Sequence, residues 1–525
     1  MNKPLLELKS AIKTYTLDQD KVISPEETVK KAFEILAGTN LDILEKIERG
    51  DINLDIPIYC AKGGVDFVNI VKRNNTTGKG ATLPQARASA IMELLERFSA
   101  ASYEYKLLYT YNEIKDIVPD FKLFFPLLKH VPDEKEVVEE LSDIPLYWTP
   151  AYNLTKNQNT FVPQIYAEIV GSNGLSAGNS IEEAILQGIC EIIERHVVSN
   201  IDLNKIDTAT IKFDSITHPL AIELINKYKN IKMNLILKDF TLDMEIPTIG
   251  VIGYYEKGID EYEWRYVAAG THTDPIKALF RTLTELPQYI KNPPVMMSKY
   301  IRSPKEFIQT GFFEKGVIIT GVLEKEDSCY IENSTKEINF EKIKNYSKQD
   351  IKDEIEMCVD ILAKKGIEIL VINKTHPVLN IPVVRVVGIN SIVNDKSTNL
   401  SIYSYQGLCY EKAEKFDKAI NALLNAKKVN PEFAPIYNTI GFCYYKLYKQ
   451  NENTQYLDLA IENFKHFIEL VPNRAIDYFN LASMLMKKNN IDQAKTFFAK
   501  ALELEPKYIF TNLYKKLISF GLIVK

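Results

Sequence analysis

Acidic side chains recur at helical spacing in three separated segments of this sequence. In Thr82–Arg97 (TLPQARASAIMELLER), Ser89, Glu93 and Glu96 fall within about 60° of arc when set on a 3.6-residue turn. In Ser180–Arg195 (SIEEAILQGICEIIER), Glu183, Gln187, Glu191 and Glu194 fall within about 80°. In Asp274–Tyr289 (DPIKALFRTLTELPQY), Arg281, Glu285 and Gln288 make a third narrow stripe. The segments align without gaps, and their first residues lie 98 and 94 positions apart. Carboxylates that share a site raise one another's pKa and require a counter-charge. Mg²⁺ provides one, and takes phosphate oxygens and water as its other ligands. The stripes therefore point to a nucleotide held through metal ions. The competing reading is a solvated amphipathic face, but such faces usually interleave Lys with Glu. The first two stripes contain no Lys, and Lys277 lies just outside the third.

The elements that must carry these stripes are legible. Thr82, Ser180 and Asp274 are good N-caps. Gln85 and Glu183 stand where a capping box places its second member. Pro275 occupies the first helical position, where its missing N–H costs nothing. Glycine-bearing turns precede each cap: Gly78-Lys79-Gly80-Ala81, Ser176-Ala177-Gly178-Asn179 and Ala269-Gly270-Thr271-His272. Such turns before helix N-termini offer backbone N–H groups and a positive dipole end to phosphate. Opposite the first stripe lie Ala90, Ile91, Leu94, Leu95 and Phe98, and opposite the second Ile185, Ile189, Ile192 and Ile193. Neither a P-loop nor a kinase signature is present.

Around these helices the chain divides by pattern. Apolar and β-branched runs at Phe67–Val71, Ile246–Tyr255, Tyr266–Ala269, Gly316–Gly321, Glu368–Ile372 and Val383–Val387 read as strands between helical periods. The expectation for residues 1–395 is an α/β (α+β) fold with mixed sheet. A polar stretch at Val393–Ser397 marks the boundary. Beyond it Gly407, Ala419, Ala426 and Pro431 step by 12, 7 and 5, as do Ala482, Ala494, Ala501 and Pro506. Gly441, Ala460, Phe467 and Pro472 repeat the last two steps, with seven extra residues near Asn451–Tyr456. This pattern resembles the tetratricopeptide repeat, in which small residues let paired helices approach and proline ends the second. The expected units are about 400–433, 434–474 and 475–508, with a capping helix in 509–525 (Thr511–Leu522) completing a 400–525 solenoid.

Composition narrows the class. The 525 residues are 46% hydrophobic and 25% charged, ample for a core of two or more domains. A net charge of −5 gives no footprint for direct nucleic-acid binding. Six cysteines without a CxxC speak against a zinc site or a disulfide framework and suit a cytoplasmic location. No signal peptide or membrane-length apolar run is visible.

Three motifs, GKGATLPQARASAIMELLERFSA (78–100), GLSAGNSIEEAILQGICEIIERHV (174–197) and AAGTHTDPIKALFRTLTELPQYI (268–290), together resemble the signatures of the YcaO family, in the family's order. The resemblance covers most of residues 1–395. It implies a YcaO-type ATP-binding domain that uses ATP and Mg²⁺ to phosphorylate a backbone amide oxygen, yielding azolines in some pathways and thioamides in others. Glycine thioamidation is the role it implies for methanogen members. Another branch carries C-terminal tetratricopeptide repeats and is linked to ribosomal protein methylthiolation. Position by position, the resemblance implies metal coordination by Glu93, Glu96, Glu191, Glu194 and Glu285. It implies nucleotide contacts from Ser89, Asn179, Glu183, Gln187, Arg195 and Arg281, and more loosely from Lys21 and Thr28 in KVISPEET. Arg281 and Glu285 would be catalytic, stabilising charge as the phosphoryl group moves. A capping box alone would also explain Glu183.

Other residues have alternative readings. His272 in GTHTDP contacts nucleotide, acts as a base or stabilises its turn. Cys190 and His196 are expected to be structural. Azoline-forming members often end in a proline-rich tail, whereas this sequence ends Leu522-Ile523-Val524-Lys525 and shows no leader-binding domain before residue 20. The expectation is thus an ATP-dependent enzyme acting on a peptide or protein backbone, most readily by thioamidation. A sulfur-donor or accessory protein and a homodimer are partners the resemblance allows, with no membrane. The alternative is a non-catalytic adaptor whose repeats assist another modification enzyme.

Overall fold

A computed structural model of the chain describes residues 4–50, 54–102, 107–124, 131–164, 166, 171–255, 264–291, 321–324, 331–332, 334–392, 401–472 and 474–504. Each of the three stripe-bearing helices lies on its own sheet. The first sheet is antiparallel, with β1 (Leu44–Arg49), β2 (Ile58–Gly63) and β3 (Asn75–Lys79) in that order. Helix α1 (Pro25–Ala37), short α2 (Val65–Val71) and long α3 (Leu83–Ser102) pack on it. Ala90, Ile91, Leu94, Leu95 and Phe98 of α3 are fully buried there.

One expectation fails in this unit. Phe67–Val71 is not a strand but most of α2, which Gly64 starts and Lys72 ends in a left-handed conformation. The run offers the core only one fully buried side chain, Phe67, while Val65 and Ile70 stay exposed. About two turns of helix satisfy that pattern, and a short apolar run does not by itself distinguish helix from strand.

The second sheet orders β4 (Leu107–Tyr109), β5 (Leu146–Asn153), β14 (Glu368–Asn373), β15 (Val383–Ile389) and β7 (Leu175–Ala177), with β6 (Gln158–Pro163) also on β5. Between β4 and β5 lies α4 (Glu134–Ser142). Helix α5 (Ile181–Asn204) buries Ile185, Ile189, Ile192 and Ile193 among residues of β14, β15 and helix α8 (Ile351–Lys364). The third sheet orders β12 (Gly321–Glu324), β11 (Trp264–Thr271), β10 (Thr248–Tyr254), β9 (Asn234–Asp239), β8 (Thr210–Ile211) and β13 (Glu337–Ile338). Helices α6 (Pro219–Asn230) and α7 (Pro275–Lys291) share its core. The expected strands at 246–255, 266–269, 368–372 and 383–387 coincide with β10, β11, β14 and β15. Of Gly316–Gly321, only Gly321 lies within the described residues. Pairing is antiparallel except at β8 and β13 among the described residues, so the sheet is mixed.

The C-terminal helices form consecutive pairs: α9 (Ile402–Lys412) with α10 (Phe416–Val429), α11 (Ala434–Asn451) with α12 (Thr454–Leu470), and α13 (Ala475–Lys487) with α14 (Ile491–Leu504). The extra residues of the second unit lengthen its helices. Helix α11 runs ten residues past Gly441, whereas α9 stops five past Gly407. The boundary at Val393–Ser397 and the closing helix Thr511–Leu522 lie outside the described residues. The repeats are not a loose appendage. Tyr405, Cys409 and Phe416 share one buried cluster with Trp148, Leu370, Ile372 and Ile389 of the second sheet. Glu140 of α4 accepts hydrogen bonds from Gln406 Nε2 (2.7 Å) and the Tyr410 hydroxyl of α9. Thus α4 packs against α9, the first helix of the C-terminal region. No helix among the described residues is long and apolar enough to cross a membrane.

Candidate active site

The three strand–helix units aim their polar stripes at one another. Close contact between strand and helix sets each unit. A Cβ on Gly78 of β3 would lie 1.9 Å from Ala90 N and 2.5 Å from Ala86 O. One on Gly270 of β11 would lie 2.6 Å from Ala278 O and Thr282 N. With the apolar faces buried against the sheets, the stripes face one another across a shared space rather than an outer surface. They line one cavity of about 400 Å³. Every residue that the resemblance implies for nucleotide or metal lines it: Lys21, Thr28, Ser89, Glu93, Glu96, Asn179, Glu183, Gln187, Glu191, Glu194, Arg195, Arg281 and Glu285. The solvated-face reading of the three stripes therefore fails.

Two matching stations face this cavity. Arg97 bridges Glu93 and Glu96, at 3.4 Å each. Arg195 lies 3.8 Å from Glu191 and 3.6 Å from Glu194. The E-x-x-E-R spacing is identical in α3 and α5. On α7, Arg281 donates to Thr271 O at 2.9 Å and to Gln187, tying the third helix to the second. Gly174 N donates to Glu191 at 3.2 Å.

The capping box that would alone have explained Glu183 is only half formed. Ser180 accepts from Glu183 N (3.2 Å), but the carboxylate turns away from Ser180. It accepts from Asn179 N (2.8 Å), Asn179 Nδ2 (3.1 Å) and Val22 N (2.5 Å), with Lys21 Nζ at 3.6 Å. Glu183 thus binds the turn before α5 to the N-terminal segment. His272 does not line the cavity. It is buried, and its Nδ1 accepts from Asp274 N at 3.0 Å, a turn-stabilising role. Burial, then Arg281 and nearby lysines, hold it well below its usual pKa. His196 Nδ1 accepts from Ile392 N at 2.9 Å. Burial pushes the Cys190 thiol up to about 11, so it is a packed group.

Sequence reading missed several lining residues. Lys79 pairs with Glu285 across the β3–α7 gap. Burial pushes its ammonium down to about 7, with Glu194 opposing and Arg281 reinforcing the shift. Its place in the glycine turn before α3 was the available signal. Arg97 could have been found from the spacing it shares with Arg195. Gln19, 3.5 Å from Arg281, lies in an irregular segment with no periodicity to mark it.

The sequence profile of the YcaO cyclodehydratase, ATP- and Mg²⁺-binding family matches residues 77–388. This chain belongs to the YcaO family. A tetratricopeptide-repeat profile matches residues 478–508. ATP and Mg²⁺ are the ligands of a YcaO domain. An uncharacterized protein of Methanothermobacter thermautotrophicus is 24% identical over 387 residues, 70% of this chain and 94% of that protein. The ribosomal protein S12 methylthiotransferase accessory factor YcaO of Escherichia coli is 26% identical over 290 residues, and the match spans 48% of its length. The fold is that of YcaO from Methanopyrus kandleri bound with AMPPCP and Mg²⁺, with a TM-score of 0.55, 19% identity and coverage of 73% of this chain and 94% of that one.

The YcaO cavity suits a hard cation by its chemistry. Burial pushes Glu96 up to about 8, with Glu93 and Glu191 adding to the rise against Arg97. Burial also raises Glu191, and Glu194 adds to it against Arg195. Each arginine serves two carboxylates, and the remaining negative charge is of the kind a divalent ion relieves. Among the described residues no three His, Cys, Asp or Glu side chains are gathered closely enough to hold a metal unaided. Mg²⁺ takes phosphate oxygens and water as ligands beside carboxylates.

Proposed function

We infer that this protein uses Mg²⁺ and ATP to O-phosphorylate a backbone amide of a peptide or protein, and that sulfide then takes the oxygen's place to give a thioamide. The observation that carries this reading is the convergence of Glu93, Glu96, Glu191, Glu194 and Glu285 with Arg281 on one cavity from three helices. Bound Mg·ATP supplies the phosphoryl group that makes the carbonyl oxygen a leaving group: that oxygen departs as phosphate, ATP becomes ADP, and sulfur ends on the carbonyl carbon. The five glutamates, spread over three helices, would share the Mg²⁺ ions with phosphate oxygens and water. Arg281 and Gln187, already joined, bind the transferring phosphoryl oxygens and stabilise charge as it develops. Ser89, Asn179, Arg195, Lys21 and Thr28 bind the rest of the nucleotide, and Glu183 positions Asn179 and Lys21.

Among the described residues lining the cavity there is no cysteine or histidine, which supports a nucleophile brought from outside. A thioamide is one of the two products that the family resemblance implies. Residues 1–395 form the catalytic unit in this reading, and 400–525 capture substrate or a sulfur-delivering partner. An accessory role has one observation in its favour, the description of the E. coli relative as an accessory factor. Incubation of the purified protein with Mg·ATP, sulfide and candidate peptides separates these outcomes by mass. Exchange of oxygen for sulfur supports thioamidation, and loss of water replaces it with azoline formation. Absence of peptide-stimulated ATP turnover favours the adaptor.

A further inference from the structure

One loop touches the N-terminal turns of all three stripe-bearing helices. Residues 15–21 close on themselves, with Lys21 N donating to Tyr15 O (2.9 Å) and Tyr15 N to Lys21 O (3.0 Å). From this loop Asp18 reaches α3, where it accepts from the N-cap hydroxyl of Thr82 at 3.0 Å. Tyr15 donates to its other oxygen at 2.7 Å. Asp20 reaches α7 and pairs with Lys277 in its first turn. Lys13 donates to Asp20 Oδ2 at 2.6 Å and to Glu354 of α8 at 2.8 Å. Just beyond the loop, Val22 N donates to Glu183 in the first turn of α5 at 2.5 Å. Asp18, Lys13, Asp20, Lys277, Glu183 and Glu354 are all buried.

Between these anchors, Gln19 and Lys21 face the cavity, near Arg281 (3.5 Å) and Glu183 (3.6 Å) respectively. Two buried lysines balance Asp20 and Glu354, and the nearby His272 is 3.8 Å from Asp20. A buried ion cluster of this kind contributes little net stability relative to an apolar replacement, but it fixes geometry. We propose that the loop is a clasp: Asp18 and Asp20 are positioning residues that set three helix N-termini in register and aim Gln19 and Lys21 at the bound nucleotide. The nucleotide part rests on the function proposed above.

The test is a cycle of variants titrated with Mg²⁺ and a non-hydrolysable ATP analogue. Asp20→Asn leaves two buried lysines facing one carboxylate, so Asp20→Asn/Lys277→Met is made beside it to restore charge balance. The balanced pair should bind the analogue at least about tenfold more weakly. Added to Gln19→Ala/Lys21→Ala, it should weaken binding less than about twofold further, because both changes remove the same contacts. Wild-type affinity in the balanced pair, or losses that add in full, would overturn the clasp. Amide hydrogen exchange gives a readout free of nucleotide. Residues 19–22 should exchange faster in the balanced pair while 402–429 stay unchanged, and unchanged protection at 19–22 also overturns the clasp. If the wild type itself fails to bind the analogue, the nucleotide reading falls and exchange alone decides the clasp.

Discussion

At the scale of the residue, charge crowding is the organising fact. Glu93 and Glu96 share Arg97, and Glu96 is buried among like charges. Changing both to Gln keeps the volume and removes the anionic oxygens. The Glu93→Gln/Glu96→Gln variant should lose Mg·ATP binding by calorimetry while the repeats keep their helical signal. Normal nucleotide affinity in it would exclude this site. A pH effect follows from Glu96, which titrates near 8 without a cation. Below that pH it carries a proton that a cation must displace, so Mg·ATP affinity should rise as pH increases from 6 to 8 and then level off. The limiting slope is about tenfold per pH unit. At pH 7 about one proton should be released per Mg·ATP bound, measured as a buffer-dependent binding enthalpy. Uptake of a proton would contradict the assignment. The same residues show what the sequence reveals at this scale. The glutamates, Arg281 and Gln187 were legible because helical spacing aligns them. Lys79 and Gln19 were not, because a strand end and an irregular loop leave no period to read.

At the scale of the element, strand and helix approach too closely for a side chain at Gly78 in the first unit and at Gly270 in the third. Gly78→Ala would set a methyl 1.9 Å from the backbone nitrogen of Ala90, and α3 would have to move off β3. We expect a loss of about 2–4 kcal/mol in unfolding free energy, measured by denaturant titration, and weaker nucleotide binding as Glu93 shifts with the helix. Unchanged stability would mean that the contact is softer than its geometry. Helix boundaries followed local chemistry: Ser180 caps α5 through Glu183 N, and Asp274 Oδ1 accepts from Ile276 N at 3.0 Å. Local chemistry did not decide the partner of the Glu183 carboxylate, because Val22 lies 161 residues away and competes for it. Nor did it identify α2, whose apolar run is too short for periodicity to choose between helix and strand.

At the scale of the whole molecule, the repeats complete the core of the domain before them. Tyr405, Cys409 and Phe416 are buried with Trp148, Leu370 and Ile389, and Glu140 joins α4 to α9. A chain ended at residue 395 would expose this apolar face of β5, β14 and β15. It should melt at lower temperature than the full chain and bind a hydrophobic dye. A truncated chain as stable as the full one would show the shared core to be dispensable.

The sequence by itself determined the three amphipathic helices, their caps, their acidic stripes and the helical repeats, because each is written in residues a few positions apart. Only the tertiary structure decided that the stripes share one cavity, that residues 15–22 bind all three helix starts, and that the repeats close over the second sheet. Those facts depend on contacts such as Asp20 with Lys277, 257 residues apart. Long-range pairings are selected by packing and charge balance in the folded chain, and leave no periodic mark along it.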